Sequence, residues 1–287
     1  MAHQLITRRS LIKSSVLGIA GTSISSLGFG NSVSKGTNDD VELGAKPHYG
    51  YPSLLDEEVN DVVGASHANF DRVKELVTKR PELAKASWDW GFGDFESALG
   101  AASHTGRRDI AMYLMSNGAR ANIFTYAMLG AYEAVKGMIE FSPGIQKNLG
   151  PHGISLLQHA KTGQRMEDTM SKENIAALKK LISYLESLGN ADGEQYEEMA
   201  DGEKKAYLGD YRYGEGEGEG FTIRLNMRNF ISLGRLGAFG GALYKIGENK
   251  FFYNGAPSTI VSFQFEKENI KSLTITDPDR VIVARKV

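Results

Sequence analysis

A chain of 287 residues, 41% hydrophobic and 24% charged, is ordinary for a soluble globular protein and long enough for two separate cores. Its net charge of −2 gives no basic bias toward nucleic acid or acidic membranes. It has no cysteine, which excludes disulfides, thiolate metal sites, a cysteine nucleophile and a lipid-modified cysteine.

Residues 1–46 read as an export signal followed by a disordered linker. No acid occurs before Asp39, Arg8, Arg9 and Lys13 form a basic region, and 14–30 is mildly apolar, rich in Gly and Ser, and too short for a membrane span. "TRRSLIK" closely resembles a twin-arginine signal: Thr7, Arg8–Arg9, Leu11 and Lys13 fall at the motif's positions, with Leu for the frequent Phe. The resemblance implies export of an already folded protein to the periplasm or beyond, with no membrane span in the mature chain. A basic, disordered N-terminus carrying a chance arginine pair is the alternative. Removal of the signal, somewhere between Gly30 and Pro47, takes away Arg8, Arg9 and Lys13 and leaves a mildly acidic protein.

Residues 47–190 are organised by repetition. "GASHANFDRV" at 64–73 nearly returns as "AASHTGRRDI" at 101–110, and a small residue recurs at Ala65, Ala102, Ala127 and Ala160, a mean step of about 32. Around each alanine lies one short apolar helix pattern, a polar or Gly break, and a second: "DRVKELV", "DIAMYLM", "EAVKGMI" and "NIAALKKLISYLESL". The best unit, "SALGAASHTGRRDIAMYLMSNGARAN", resembles the ankyrin consensus through Leu99, Ala101, Ala102, Gly106, Ile110, Leu114 and 117–122. The resemblance covers 57–188 and implies an α-helical ankyrin-like solenoid whose units bury their apolar faces only against neighbours. An irregular helical bundle is the rival, though it gives no reason to repeat "ASH".

The solenoid reading places His67 and His104 at equivalent points of adjacent units. Packed helices put such points about 10 Å apart, too far to ligate one metal together. Each histidine is then either a half-exposed residue bonded to backbone or a contact to a bound partner. Between them "SWDWGFGDFES" holds Trp88, Trp90, Phe92 and Phe95 among Asp89, Asp94 and Glu96, where an ankyrin unit carries its projecting hairpin. The rings either form a local core under the loop or offer a binding patch of rigid apolar area with polar edges. "GPHG" places His152 in a turn able to aim it at a pocket, and His159, next to Ala160, reads as structural.

Residues 191–206 read as a polar, acidic linker or weak helix, and 207–287 as an antiparallel β domain, a small sheet or partial barrel. "ALYKIGENKFFYN", "IVSFQFEKENIKSLTIT" and "RVIVARKV" supply alternating strands. "YLGDY", through Tyr207, Gly209 and Tyr211, resembles the opening of the small lipocalin-like β domains appended to bacterial penicillin-binding-type hydrolases. "GEGEGEG" is an acidic turn: its glutamates would repel phosphate, and no P-loop lysine follows.

The fold class expected is therefore α+β in two domains. No nucleophile or metalloprotease motif occurs, and no catalytic residue, metal ligand or cofactor is assigned. The expected function is an exported, non-enzymatic binding module for a protein partner or a saccharide of the cell envelope. Its expected contact residues are His67, Trp88, Asp89, Trp90, Asp94, His104 and His152. The alternative is an envelope enzyme with His/Asp acid–base chemistry near the aromatic loop.

Overall fold

The computed structural model describes residues 46–287 except 194, 195, 198, 227 and 239. Residues His48–Val287 form one compact unit. The expected export signal lies outside the described residues. Among these residues no helix is long and apolar enough to cross a membrane. The unit is α+β, with helices first and strands after.

Four helix pairs follow one another: α1 (Asp56–Ala65) with α2 (Phe70–Lys79), α3 (Ala98–His104) with α4 (Arg108–Ser116), α5 (Ile123–Met128) with α6 (Tyr132–Phe141), and α7 (Leu156–Thr162) with α8 (Lys172–Ser187). Their starts are written in the sequence. Asn69, Ser97, Asn122, Ser155 and Ser171 each cap the following helix with a side-chain oxygen that accepts a backbone N–H. The first helices contact one another in order, α1 to α3, α3 to α5 and α5 to α7. Ala102, Ala127 and Ala160 are fully buried along that row, and Ala65 is half-buried at its start.

Glycine sets how closely the pairs approach. Gly106, at φ 72°, follows α3, and a Cβ there would sit 2.3 Å from the Thr162 carbonyl oxygen. Gly106→Ala is therefore expected to destabilise by about 2–4 kcal/mol, through both the left-handed backbone and the clash. Urea denaturation would read this, and a loss below about 0.5 kcal/mol would remove Gly106 from a packed seam.

A short hairpin, β1 (Ser87–Asp89) with β2 (Phe95–Ser97), precedes α3. It does not project as an ankyrin hairpin would. Trp88 and Trp90 pack partly buried against the core of Val62, Leu83, Leu99 and Ile110, and Phe92 packs against the core of the C-terminal part. The loop is a bridge between the two halves of the unit.

Past α9 (Asp201–Tyr207), β3 (Gly209–Arg212), β4 (Gly220–Leu225), β5 (Ile231–Arg235), β6 (Gly241–Gly247), β7 (Lys250–Tyr253), β8 (Ala256–Glu266), β9 (Asn269–Asp277) and β10 (Arg280–Lys286) form a barrel. The strand order is β10-β3-β4-β5-β6-β7-β8-β9, antiparallel throughout and closed rather than partial. Closure comes from two short strands, β5, which the sequence reading passed over, and β3, which pairs with β10 at Arg212–Arg285. Alternate residues fill the interior with Tyr211, Ile223, Leu243, Phe251, Tyr253, Val261 and Leu273. "GEGEGEG" forms the exposed turn from β3 to β4. Part of the expected linker is structural: the Leu157 N–H donates to the Ala191 carbonyl (3.0 Å), and Ala191 is buried in the helical core.

Candidate metal centre

The hairpin loop is shaped by its small and acidic residues. Gly91 and Gly93 take positive φ, and Asp89 Oδ1 accepts both their N–H groups at 2.8 and 3.1 Å. Asp89 is exposed and serves the loop. This turn throws Phe92 onto the barrel, where its ring meets Tyr253 edge-on at 4.8 Å. It also starts an in–out–in alternation: Asp94 is buried, Phe95 is 68% exposed, and Glu96 is fully buried.

Glu96 is the centre of the site. His104, at the end of α3, places Nε2 2.8 Å from Glu96 Oε1. His67, just past α1, places Nε2 3.3 Å from Oε2, and His152 places Nε2 3.4 Å from the same oxygen. The nearest donor atoms of His67, Glu96, His104 and His152 all lie within 4.8 Å of one another. Atoms that share an ion at about 2.0–2.1 Å are themselves about 3–4 Å apart, and the three Glu96–imidazole separations of 2.8, 3.3 and 3.4 Å fall in that range. The expectation that His67 and His104 stand too far apart for one ion is thus overturned: their ring centres are 5.0 Å apart. Helix spacing measures backbones, whereas these two side chains turn toward each other.

The outer contacts fix which nitrogen faces inward. A carbonyl can only accept, so His67 Nδ1, near the carbonyls of Val63 (3.2 Å) and Gly64 (3.1 Å), carries the proton and leaves Nε2 as the inward lone pair. His152 Nδ1 lies 2.8 Å from Asp94 Oδ2, and Asp94 Oδ1 accepts the His152 backbone N–H at 3.0 Å. That double grip holds His152 in a left-handed conformation, φ 58°. Trp90 Nε1 donates to Glu96 Oε2 at 2.8 Å. Carboxylate–histidine pairs of the Asp94–His152 kind are the usual outer support of a metal-bound imidazole.

Buried charge would be costly without such partners. Burial, the largest influence, pushes the Glu96 carboxyl up, but His104 and His152 together outweigh it and hold it below the usual carboxylate range. Burial also lowers His104. It opposes the charge on His152 too, yet Asp94 and Glu96 prevail and raise that imidazole to about 10. One contact remains unexplained by hydrogen bonding. Glu96 Oε1 and His104 Nε2 are buried, close and not aligned as donor and acceptor, so neither finds a hydrogen bond. Two such atoms turned toward a shared cation have this arrangement.

His159, read as structural, is fully buried, and its Nδ1 donates to the Ser155 carbonyl at 2.8 Å. Burial lowers its pKa to about 4, below its unfolded value of about 6.5. Its contribution is therefore intact above that unfolded value and lost as pH falls toward the folded one, a loss of about 3 kcal/mol by pH 4. His159→Gln should flatten this acid limb in denaturation curves taken across pH 4–7, and an unchanged limb would contradict the assignment.

Of the contact residues expected from sequence, His67, His104 and His152 enter the site directly, while Asp94 and Trp90 hold and flank it. Trp88 and Asp89 do not enter it. Glu96 was missed as a site residue, although the alternation in "DFES" would have singled it out. No protein-family model matches the chain, and no curated protein matches it significantly.

Proposed function

We propose that this is an exported metal-binding protein in which His67, Glu96, His104 and His152 hold a divalent first-row transition-metal ion. The observation that carries the reading is the convergence of three imidazoles and one carboxylate from four separate segments on one partly buried point. Imidazole nitrogen with carboxylate oxygen suits zinc, iron, manganese or nickel better than calcium or magnesium, which prefer oxygen alone. The ordered helix pairs support an ankyrin-like stack as the scaffold, and the N-terminal motif supports twin-arginine export. Thermal unfolding of the metal-free mature protein, with and without one equivalent of zinc, tests the reading. A rise in Tm with zinc and none with calcium is expected; no rise with any of zinc, iron(II), manganese or nickel would end it.

The saccharide reading moves from the loop to a cleft of about 1100 Å³ where the helical half meets the barrel. Phe95, Phe124, Tyr244 and Phe252 line it with Asn122 and Asn254, rings and amides that suit sugar faces and hydroxyls. The enzyme reading draws on the Asp94–His152 pair, whose geometry would equally orient a proton carrier.

A further inference from the structure

The cleft between the helical half and the barrel is walled by the same two segments that build the metal centre. Gly93, Asp94 and Phe95 line it from the hairpin, and Glu96 is the next residue. Pro151 and Gly153 line it from the second segment, on either side of His152. Strand alternation sends neighbours opposite ways: Glu96 is buried in the metal centre, whereas Phe95, 68% exposed, lies on the cleft side. Among the described residues no other aromatic ring packs on Phe95, although its neighbours on both sides are buried and held.

Both segments also rest on the barrel. A Cβ at Gly255 would come within 2.7 Å of Asp94 Oδ1, and one at Gly153 within 2.4 Å of Asn254 Oδ1. Asn254 and Gly255 form the turn from β7 to β8, and both line the cleft. The hairpin and the 150–153 turn are joined to each other at two points. Asp94 holds His152 by ring and backbone, and Glu96 Oε2 stands 3.4 Å from His152 Nε2. An ion shared by Glu96 and His152 would tie the second point, and so fix the spacing of that wall.

The lining decides what the cleft would hold. Its volume of about 1100 Å³ is at the upper end for small-molecule sites, enough for a short oligosaccharide. Phe95 and Phe124 come from the helical half, Tyr244 and Phe252 from the barrel. Between the rings stand neutral polar groups. The Asn122 oxygen caps α5 and the Asn190 oxygen accepts from Gln146, which leaves the amide nitrogens as donors. Asn254, 2% exposed, has an Oδ1 with no hydrogen bond, an unmet acceptor in the wall. The carboxylate of Asp94 is already committed to His152. Rings for an apolar face, with uncharged donors and an acceptor beside them, match a sugar that carries no charge.

We propose that the cleft binds a neutral saccharide, and that the saccharide and the ion bind cooperatively because the ion ties together the two segments that form one cleft wall. The proposal rests on the metal-binding reading and gives the ion a task outside its own ligand shell. Such linkage is reciprocal: each ligand raises the affinity of the other by the same factor, typically about 5- to 150-fold.

Calorimetric titration of N,N′-diacetylchitobiose and of maltose into the full chain, metal-free and loaded with one equivalent of zinc, tests this. The expected result is one saccharide per chain for at least one of the two, bound at least about fivefold more tightly with zinc. Phe95→Ala should abolish saccharide binding while zinc still binds at one per chain. Zinc binding with neither saccharide bound at millimolar concentration would overturn the cleft as a saccharide site and leave the metal centre standing. Equal saccharide affinity with and without zinc would overturn the linkage. Failure to bind zinc or any other first-row ion would overturn the metal reading and the linkage with it.

Discussion

Glu96→Gln is expected to weaken metal binding by more than about 100-fold and to abolish the rise in Tm that the metal produces. Loss of an outer support alone typically costs about 10- to 100-fold in affinity, and Glu96 is the only anion in the inner group. Glutamine keeps the shape and can still accept from Trp90, but it removes the negative charge that offsets a dication in a fully buried place. A ligand at about 1000 times its Kd stabilises the folded state by about 4 kcal/mol. That increment should be present in the unaltered protein and missing in the variant, whereas the metal-free proteins should unfold within about 1–2 kcal/mol of each other. Equal metal-induced shifts in the two would remove Glu96 from the inner group.

Asp94→Asn is expected to lower metal affinity by about 10- to 100-fold without changing the stoichiometry. Asp94 is 3% exposed and grips His152 at both its ring and its backbone. Asparagine can keep the backbone contact, but it no longer enforces the tautomer that points His152 Nε2 inward. The effect should reach into the barrel as well. Gly255, in the turn between β7 and β8, packs so closely that a Cβ there would come within 2.7 Å of Asp94 Oδ1. Gly255→Val should therefore reproduce the weakened binding by pushing Asp94 aside. Calorimetric titration of zinc into both variants is the measurement, and unchanged affinity in Asp94→Asn would make the Asp94–His152 contact merely structural.

Much of the helical half was legible because small residues and caps act locally. Ala102, Ala127 and Ala160 are buried where the repeat placed them, and Ser97 and Asn122 start helices as their types suggest. The site was legible in pieces. The repeated "ASH" marked His67 and His104, and the turn around Pro151 marked His152. What could not be read was their convergence, which depends on side-chain direction and on Asp94 reaching across 58 positions to His152. Glu96 was passed over because an acid in a loop rich in acids looks solvated until the strand alternation is imposed. The aromatic loop misled for a similar reason. Phe92 has its partner in Tyr253, a contact set by the tertiary fold and invisible to local patterning.

X-ray absorption at the metal edge of the zinc-loaded protein tests the metal centre most directly. The account predicts one ion per chain, with three imidazoles and at least one oxygen at about 2.0–2.2 Å, and a lower oxygen count in Glu96→Gln. An ion retained with fewer than two imidazoles, or with a ligand set that Glu96→Gln leaves unchanged, would contradict it.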